Sequence, residues 1–204
     1  MTSEKKALAP YADYDVLAKW ETPSFDDVTR GVLSQRLSDV PERRFFSQEE
    51  LALLTAVVER LAPFFSALPA SLIALWIDDC VERNLGEGFR NEGAPPLRES
   101  WRNGLTAIDG EARGRFSSSF AALKPEERDL TLRAIQSGKV DAALWRGLDP
   151  ASFFTDTLLK TIAGLVYAHP SAWNDIGFGG PASPRGYVRL GFDERDPWEA
   201  KARG

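Results

Sequence analysis

The chain is nearly without the residues that build metal centres and covalent staples. Its 204 residues include one cysteine, Cys80, and one histidine, His169. A single cysteine forms no intramolecular disulfide. One Cys with one His falls short of the usual Cys/His zinc set, and no acidic loop of EF-hand spacing stands in for it. Positive charge is not in excess either. Lys and Arg total 25 against 30 Asp and Glu, a net charge of −5, which argues against a nucleic-acid binder because phosphate binding draws on a basic footprint. No apolar run approaches the ~20 residues that span a bilayer. The stretch Met1–Pro10 carries charge with no apolar segment behind it, so it does not read as a secretory signal. Arg43-Arg44-Phe45-Phe46 resembles a twin-arginine export motif, but it lies far from the N-terminus and is followed by Gln48-Glu49-Glu50 in place of an apolar run.

What is present is helical patterning. Hydrophobic residues make up 43% and charged residues 27%, ordinary values for a globular chain. A chain of this length buries roughly 70% of its unfolded surface and needs no staple. Strand alternation is almost absent. The fold class expected is all-α, a single irregular helical bundle with an extended Gly/Pro/aromatic C-terminal tail. Ser24 as N-cap with Asp26 and Asp27 in the first turn predicts a helix over 24–38, with Phe25, Val28, Val32 and Leu37 as its stripe. Ser47-Gln48-Glu49-Glu50 is a capping-box signature, followed by Leu51, Leu54, Val58 and Leu61 on one face. A third helix is expected over 69–84, with Trp76 on its apolar face, and a fourth over 96–113, with Trp101, Leu105 and Ile108. Pro125 opens another that closes before Gly138. Asp149-Pro150 starts the last long one, with Phe154, Leu158, Ile162, Leu165 and Val166 turned inward, ending at Ala168 or His169 ahead of Pro170. Residues 1–23 read as an N-terminal arm, 24–169 as the helical domain and 170–204 as an extended tail.

Few residues suggest chemistry. His169 with Asp175 or Asp156 as an orienting carboxylate gives the one enzymatic reading, a small stand-alone enzyme. The bland reading is a cation or polar cap at a helix C-terminus. Cys80 lies on an apolar face beside Asp78 and Asp79, as a structural thiol would. Gly177-Phe178-Gly179-Gly180 matches neither a phosphate loop nor a dinucleotide fingerprint. The tail instead interleaves Trp173, Phe178, Tyr187, Phe192 and Trp198 with Arg185, Arg189 and Arg195, a composition of interface hot spots. Packing on the chain's own helices and binding of a partner both fit it. The residues assemble no catalytic constellation.

Several blocks together resemble the gluconate 2-dehydrogenase subunit 3 family: Pro23–Arg30, Arg44-Phe45-Phe46-Ser47 leading into Glu50, Trp101-Arg102-Asn103-Gly104-Leu105 with Ile108-Asp109, and the long run from Ala168 to Leu190. The resemblance implies a non-catalytic small (gamma) subunit with no cofactor or metal of its own. Its partner would be a large FAD-dependent oxidoreductase subunit of the glucose–methanol–choline type. That subunit would oxidise a sugar, a sugar acid or a glycoside, as a glycoside 3-dehydrogenase does, and this chain would stabilise it and help it mature in a heterodimer or larger complex. Without a signal of its own the chain is expected in the cytoplasm, or in the periplasm if the large subunit carries the export signal. Within the tail, Trp173, Ile176, Phe178, Gly179, Gly180, Pro181, Arg185, Tyr187 and Arg189 are the expected partner-binding residues.

Overall fold

The computed structural model describes residues 11, 13–62, 68–86, 93, 95–180 and 200–201. Among these there is no strand, and the protein is all-α. The chain divides into two compact units: Val40–Pro63 with Pro69–Leu165, and Met1–Asp39 with Phe64–Leu68 and Val166–Gly204.

The larger unit is built from α2 (Gln48–Leu61), α3 (Ala70–Glu82), α4 (Leu97–Phe116), α5 (Pro125–Gln136) and, up to Leu165, a composite helix over 150–168. The capping box at α2 forms as expected: Ser47 Oγ accepts from the Glu50 amide, and Glu50 accepts from the Ser47 amide. Two buried side-chain rows then follow along the helix, Leu53 with Val57 and Leu54 with Val58. Each such residue contributes about 1.5–3 kcal/mol on burial. Arg60 grips Asp129 of α5 with two parallel bonds of 2.7 and 2.8 Å. Trp101, Leu105, Leu54 and Phe154 are buried as expected. Trp76 and Cys80 are only half-buried, so the inner face of α3 is Ile73, Ala74, Ile77 and Val81 instead.

The composite helix departs from a plain 3.6-residue pattern. It opens at α6 (Pro150–Ser152), with the Asp149 carboxylate accepting from the Ser152 amide, passes through a π-helical segment (Phe153–Leu159), and continues as α7 (Lys160–Ala168). The wider π turn brings Phe153 and Leu158 onto one face beside Phe154, and all three are buried. Phe153 lies against Trp101 and Trp145 with ring centroids 6.1 and 5.9 Å away. It also lies directly on Gly104 of α4. A Cβ there would come within 2.5 Å of the Phe153 Cε1 and Cε2 atoms and closer still to Cζ.

The smaller unit holds a 3-10 turn (Val16–Lys19), α1 (Asp27–Ser38) and α8 (Pro170–Ile176). Two sequence expectations are corrected here. Asp26, not Ser24, caps α1, accepting from the Thr29 amide. Phe25 therefore precedes the helix, and the stripe it was expected to share with Val28, Val32 and Leu37 does not exist. Phe25 and Leu33 are buried, whereas Val28 is 76% exposed. The tail also begins with a helix rather than extended chain. Pro170 occupies the first helical position, where its missing N–H costs nothing.

Candidate functional site

Trp173 on α8 organises the first site. It is 5% exposed and joins Val16, Phe25 and Leu33 in one cluster, with Tyr14, Leu17 and Trp20 packed around them. Its indole N–H donates to the Tyr167 carbonyl at 2.7 Å. Asn174 Oδ1 accepts from the Val16 amide at 2.8 Å, and Lys19 Nζ donates to the Gly179 carbonyl at 2.6 Å. The glycines make this closeness possible. Gly177 and Gly180 have φ of +68° and +85°. A Cβ on Gly177 would meet the Tyr11 ring at 2.7 Å, and one on Gly180 would meet the Phe25 ring at 3.2 Å. Around the buried indole, apolar side chains face water. The Phe178 ring stands edge-on to Trp173 with centroids 5.2 Å apart and is 38% exposed; Ile176 is 42% exposed.

His169 lies between α7 and α8. It is buried and caps α8, its Nδ1 accepting from the Ser171 amide at 3.2 Å. Burial pushes its pKa down, and the Arg36 guanidinium pushes the same way against a hydrogen bond with the Arg36 backbone. Arg36 in turn donates to the Ala168 carbonyl at 2.9 Å, finishing α7. The expected cation or polar cap at a helix C-terminus is therefore corrected: Arg36 supplies the charge at that C-terminus, and His169 is an N-cap whose Nδ1 accepts from the Ser171 amide. Asp175 is shifted upward by burial.

A second constellation lies in the larger unit. The Asp78 carboxylate, fully buried on α3, accepts from three consecutive backbone amides: Arg44 at 2.6 Å, Phe45 at 3.1 Å and Phe46 at 2.7 Å. Phe46 turns inward, its ring 6.1 Å from that of Trp101. Phe45 turns outward, and the Arg102 and Arg98 guanidiniums lie 4.5 and 5.4 Å from its ring centroid. Two blocks far apart in sequence, Arg44–Ser47 and Trp101–Leu105, thus meet. Trp101 forms the inside of the meeting and Arg102 the outside. Among the described residues no group of acidic, His or Cys side chains is arranged to hold a metal ion.

The family model for gluconate 2-dehydrogenase subunit 3 matches residues 48–180. The chain belongs to that family. No curated protein and no solved structure matches it. The family match takes in α2 to α8 and stops at Gly180, at the end of the glycine cluster. Of the expected partner-binding residues, Trp173 is committed to its own unit, Gly179 and Gly180 are backbone partners of Lys19 and Phe25, and Ile176 and Phe178 present surface. Pro181, Arg185, Tyr187 and Arg189 lie outside the described residues, as do Phe192, Arg195 and Trp198. Sequence reasoning passed over Lys19, Arg36, Asn174 and Asp78. Asn174 stood inside the quoted tail block. A buried Asp on an apolar helical face was the available signal for Asp78.

Proposed function

We propose that this chain is the non-catalytic small subunit of a dehydrogenase complex, one that binds and stabilises a large FAD-dependent subunit oxidising a sugar, a sugar acid or a glycoside. The observation that carries the reading is the family match across 48–180. The surface around Trp173 supports it. Burying Trp173 spends the large anchor on internal order, which leaves Ile176 and Phe178 preorganised at low entropic cost for a partner. The exposed pair Val28 and Val32, one turn apart on α1, adds apolar surface on the same unit. Pro181, Arg185, Tyr187 and Arg189 continue the proposed contact. A stand-alone enzyme built on His169 has no comparable support, because the imidazole is buried and serves as a cap.

Ile176→Asp and Phe178→Asp test this reading. Both positions are exposed, so circular dichroism should be unchanged. Binding to the large subunit should weaken by about 30- to 1,000-fold if either residue is an interface anchor. Unchanged affinity in both variants removes this face from the interface.

A further inference from the structure

We propose that His169 is an acid-sensitive latch on the Ile176–Phe178 surface: protonation of its Nδ1 unfastens the first turn of α8 and lowers the affinity of the chain for its large partner subunit. The inference rests on the accessory-subunit reading and adds to it a regulation of the same surface. α8 has seven residues, too few for an isolated helix to be stable in water. Its order comes from its two ends and from its middle. At the C-terminal end Gly177 turns the chain, and the Phe178 amide donates back to the Trp173 carbonyl at 2.9 Å, which ties Phe178 to the helix. In the middle, Trp173 Nε1 and Asn174 Oδ1 join α8 to Tyr167 and Val16. At the N-terminal end the fastening is His169. Pro170 has no N–H, so Ser171 carries the first amide that needs an acceptor, and His169 Nδ1 supplies it at 3.2 Å.

A ring nitrogen that accepts from an N–H carries no proton, so the cap exists only with the neutral imidazole. A proton on Nδ1 turns the acceptor into a second donor facing the Ser171 amide. It also sets a cation at the positive end of α8 and near Arg36, whose guanidinium is occupied with the Ala168 carbonyl at the end of α7. The pKa of the imidazole is pushed down accordingly, by burial first and by the Arg36 charge, against a hydrogen bond with the Arg36 backbone. Of the other charged groups on the elements packed here, Arg30 of α1 is paired with Asp27, and in α7 no charged residue follows Lys160. In the 3-10 turn, Asp15 caps the turn itself, and Lys19 binds the Gly179 carbonyl beyond the far end of α8. Asp175 lies toward that same end of α8, and burial shifts it upward.

His169 is the only histidine of the chain, so NMR of isotope-labelled histidine follows this one imidazole, in the chain alone and in its complex with unlabelled proposed large subunit. Proton and partner compete in a latch of this kind, so the imidazole should titrate at lower pH in the complex than in the free chain. The companion measurement is a binding titration with the large subunit at pH 7 and pH 5. Over that range wild-type affinity should fall by about fivefold or more relative to His169→Asn, which keeps an acceptor at the cap and takes up no proton there. Asp175→Asn should keep the wild-type response. An imidazole that titrates at the same pH free and bound, a response in His169→Asn equal to that of wild type, or a response abolished by Asp175→Asn overturns the latch while the accessory-subunit reading stands. The NMR comparison decides alone should His169→Asn not fold. Failure of the wild-type chain to bind the large subunit at pH 7 overturns both.

Discussion

Replacing Gly104 with alanine should reverse the usual sign of such a change inside a helix. In an open helix, alanine is better than glycine by about 1 kcal/mol. At position 104 the new methyl would come within 2.5 Å of two Phe153 ring carbons, with a third nearer still. Carbon atoms settle at about 3.5–4.0 Å, so the ring or the helix must retreat by about 1 Å or more. The ring has little room to do so. Phe153 is 3% exposed and lies against both Trp101 and Trp145. Overpacking of this kind costs about 1–3 kcal/mol or more. With so deep an overlap the cost lies toward the upper end of that range, and set against the propensity gain the net loss should be about 1–2 kcal/mol. Urea denaturation followed by circular dichroism reads it. A double-mutant cycle with Phe153→Leu should show a coupling of about 1 kcal/mol or more, since a smaller side chain makes room for the methyl. If Gly104→Ala is as stable as the parent, or more so, the close approach of the π segment to α4 is wrong.

Asp78→Ala strands three backbone amides, the innermost of them buried, and should cost about 3 kcal/mol or more in chemical denaturation; a loss under about 1 kcal/mol would mean that the carboxylate does not hold the loop. His169 predicts a pH dependence. Its folded pKa is depressed by burial, so below about pH 6.5 the unfolded chain takes up a proton that the folded unit resists. The stability it contributes is present above that pH and is lost as pH falls toward the folded pKa. His169→Asn, which keeps an N-cap acceptor, should flatten the thermal midpoint between pH 7 and 5, and an identical slope in both proteins would refute the assignment. Asp175, raised by burial, acts in the opposite direction as pH falls, and the same pair of proteins separates the two.

The helices that were legible in the sequence are those whose ends are written in local chemistry. Ser47 with Glu50, Pro125, and Asp149 with Pro150 each place a start to the residue. What was not legible depends on contacts made at a distance. The π segment is invisible to a 3.6-residue template, because Phe153 takes its place from Gly104, about fifty positions away in sequence. The capping of α1 was misread because Ser24 and Asp26 are both good N-caps, and spacing alone does not choose between them. In the candidate site, the aromatic and glycine content of 173–180 was visible from the outset. Which aromatic is spent inside was not: Trp173 and Phe178 look alike until the Tyr167 carbonyl and the Val16–Phe25–Leu33 cluster take up the indole. Asp78 was read only as a neighbour of Cys80, since nothing local shows that it reaches back to the amides at 44–46.

The most direct test of the account is to express the proposed large FAD-dependent subunit with and without this chain, and to purify the product through a tag on this chain. With both present, one complex should be recovered that shows flavin absorbance in proportion to the large subunit. The small chain, separated from it, should be colourless and inactive. Without the small chain, the yield of soluble flavin-loaded large subunit should fall. The account is contradicted if the large subunit is recovered in equal amount and activity without this chain and never co-purifies with it.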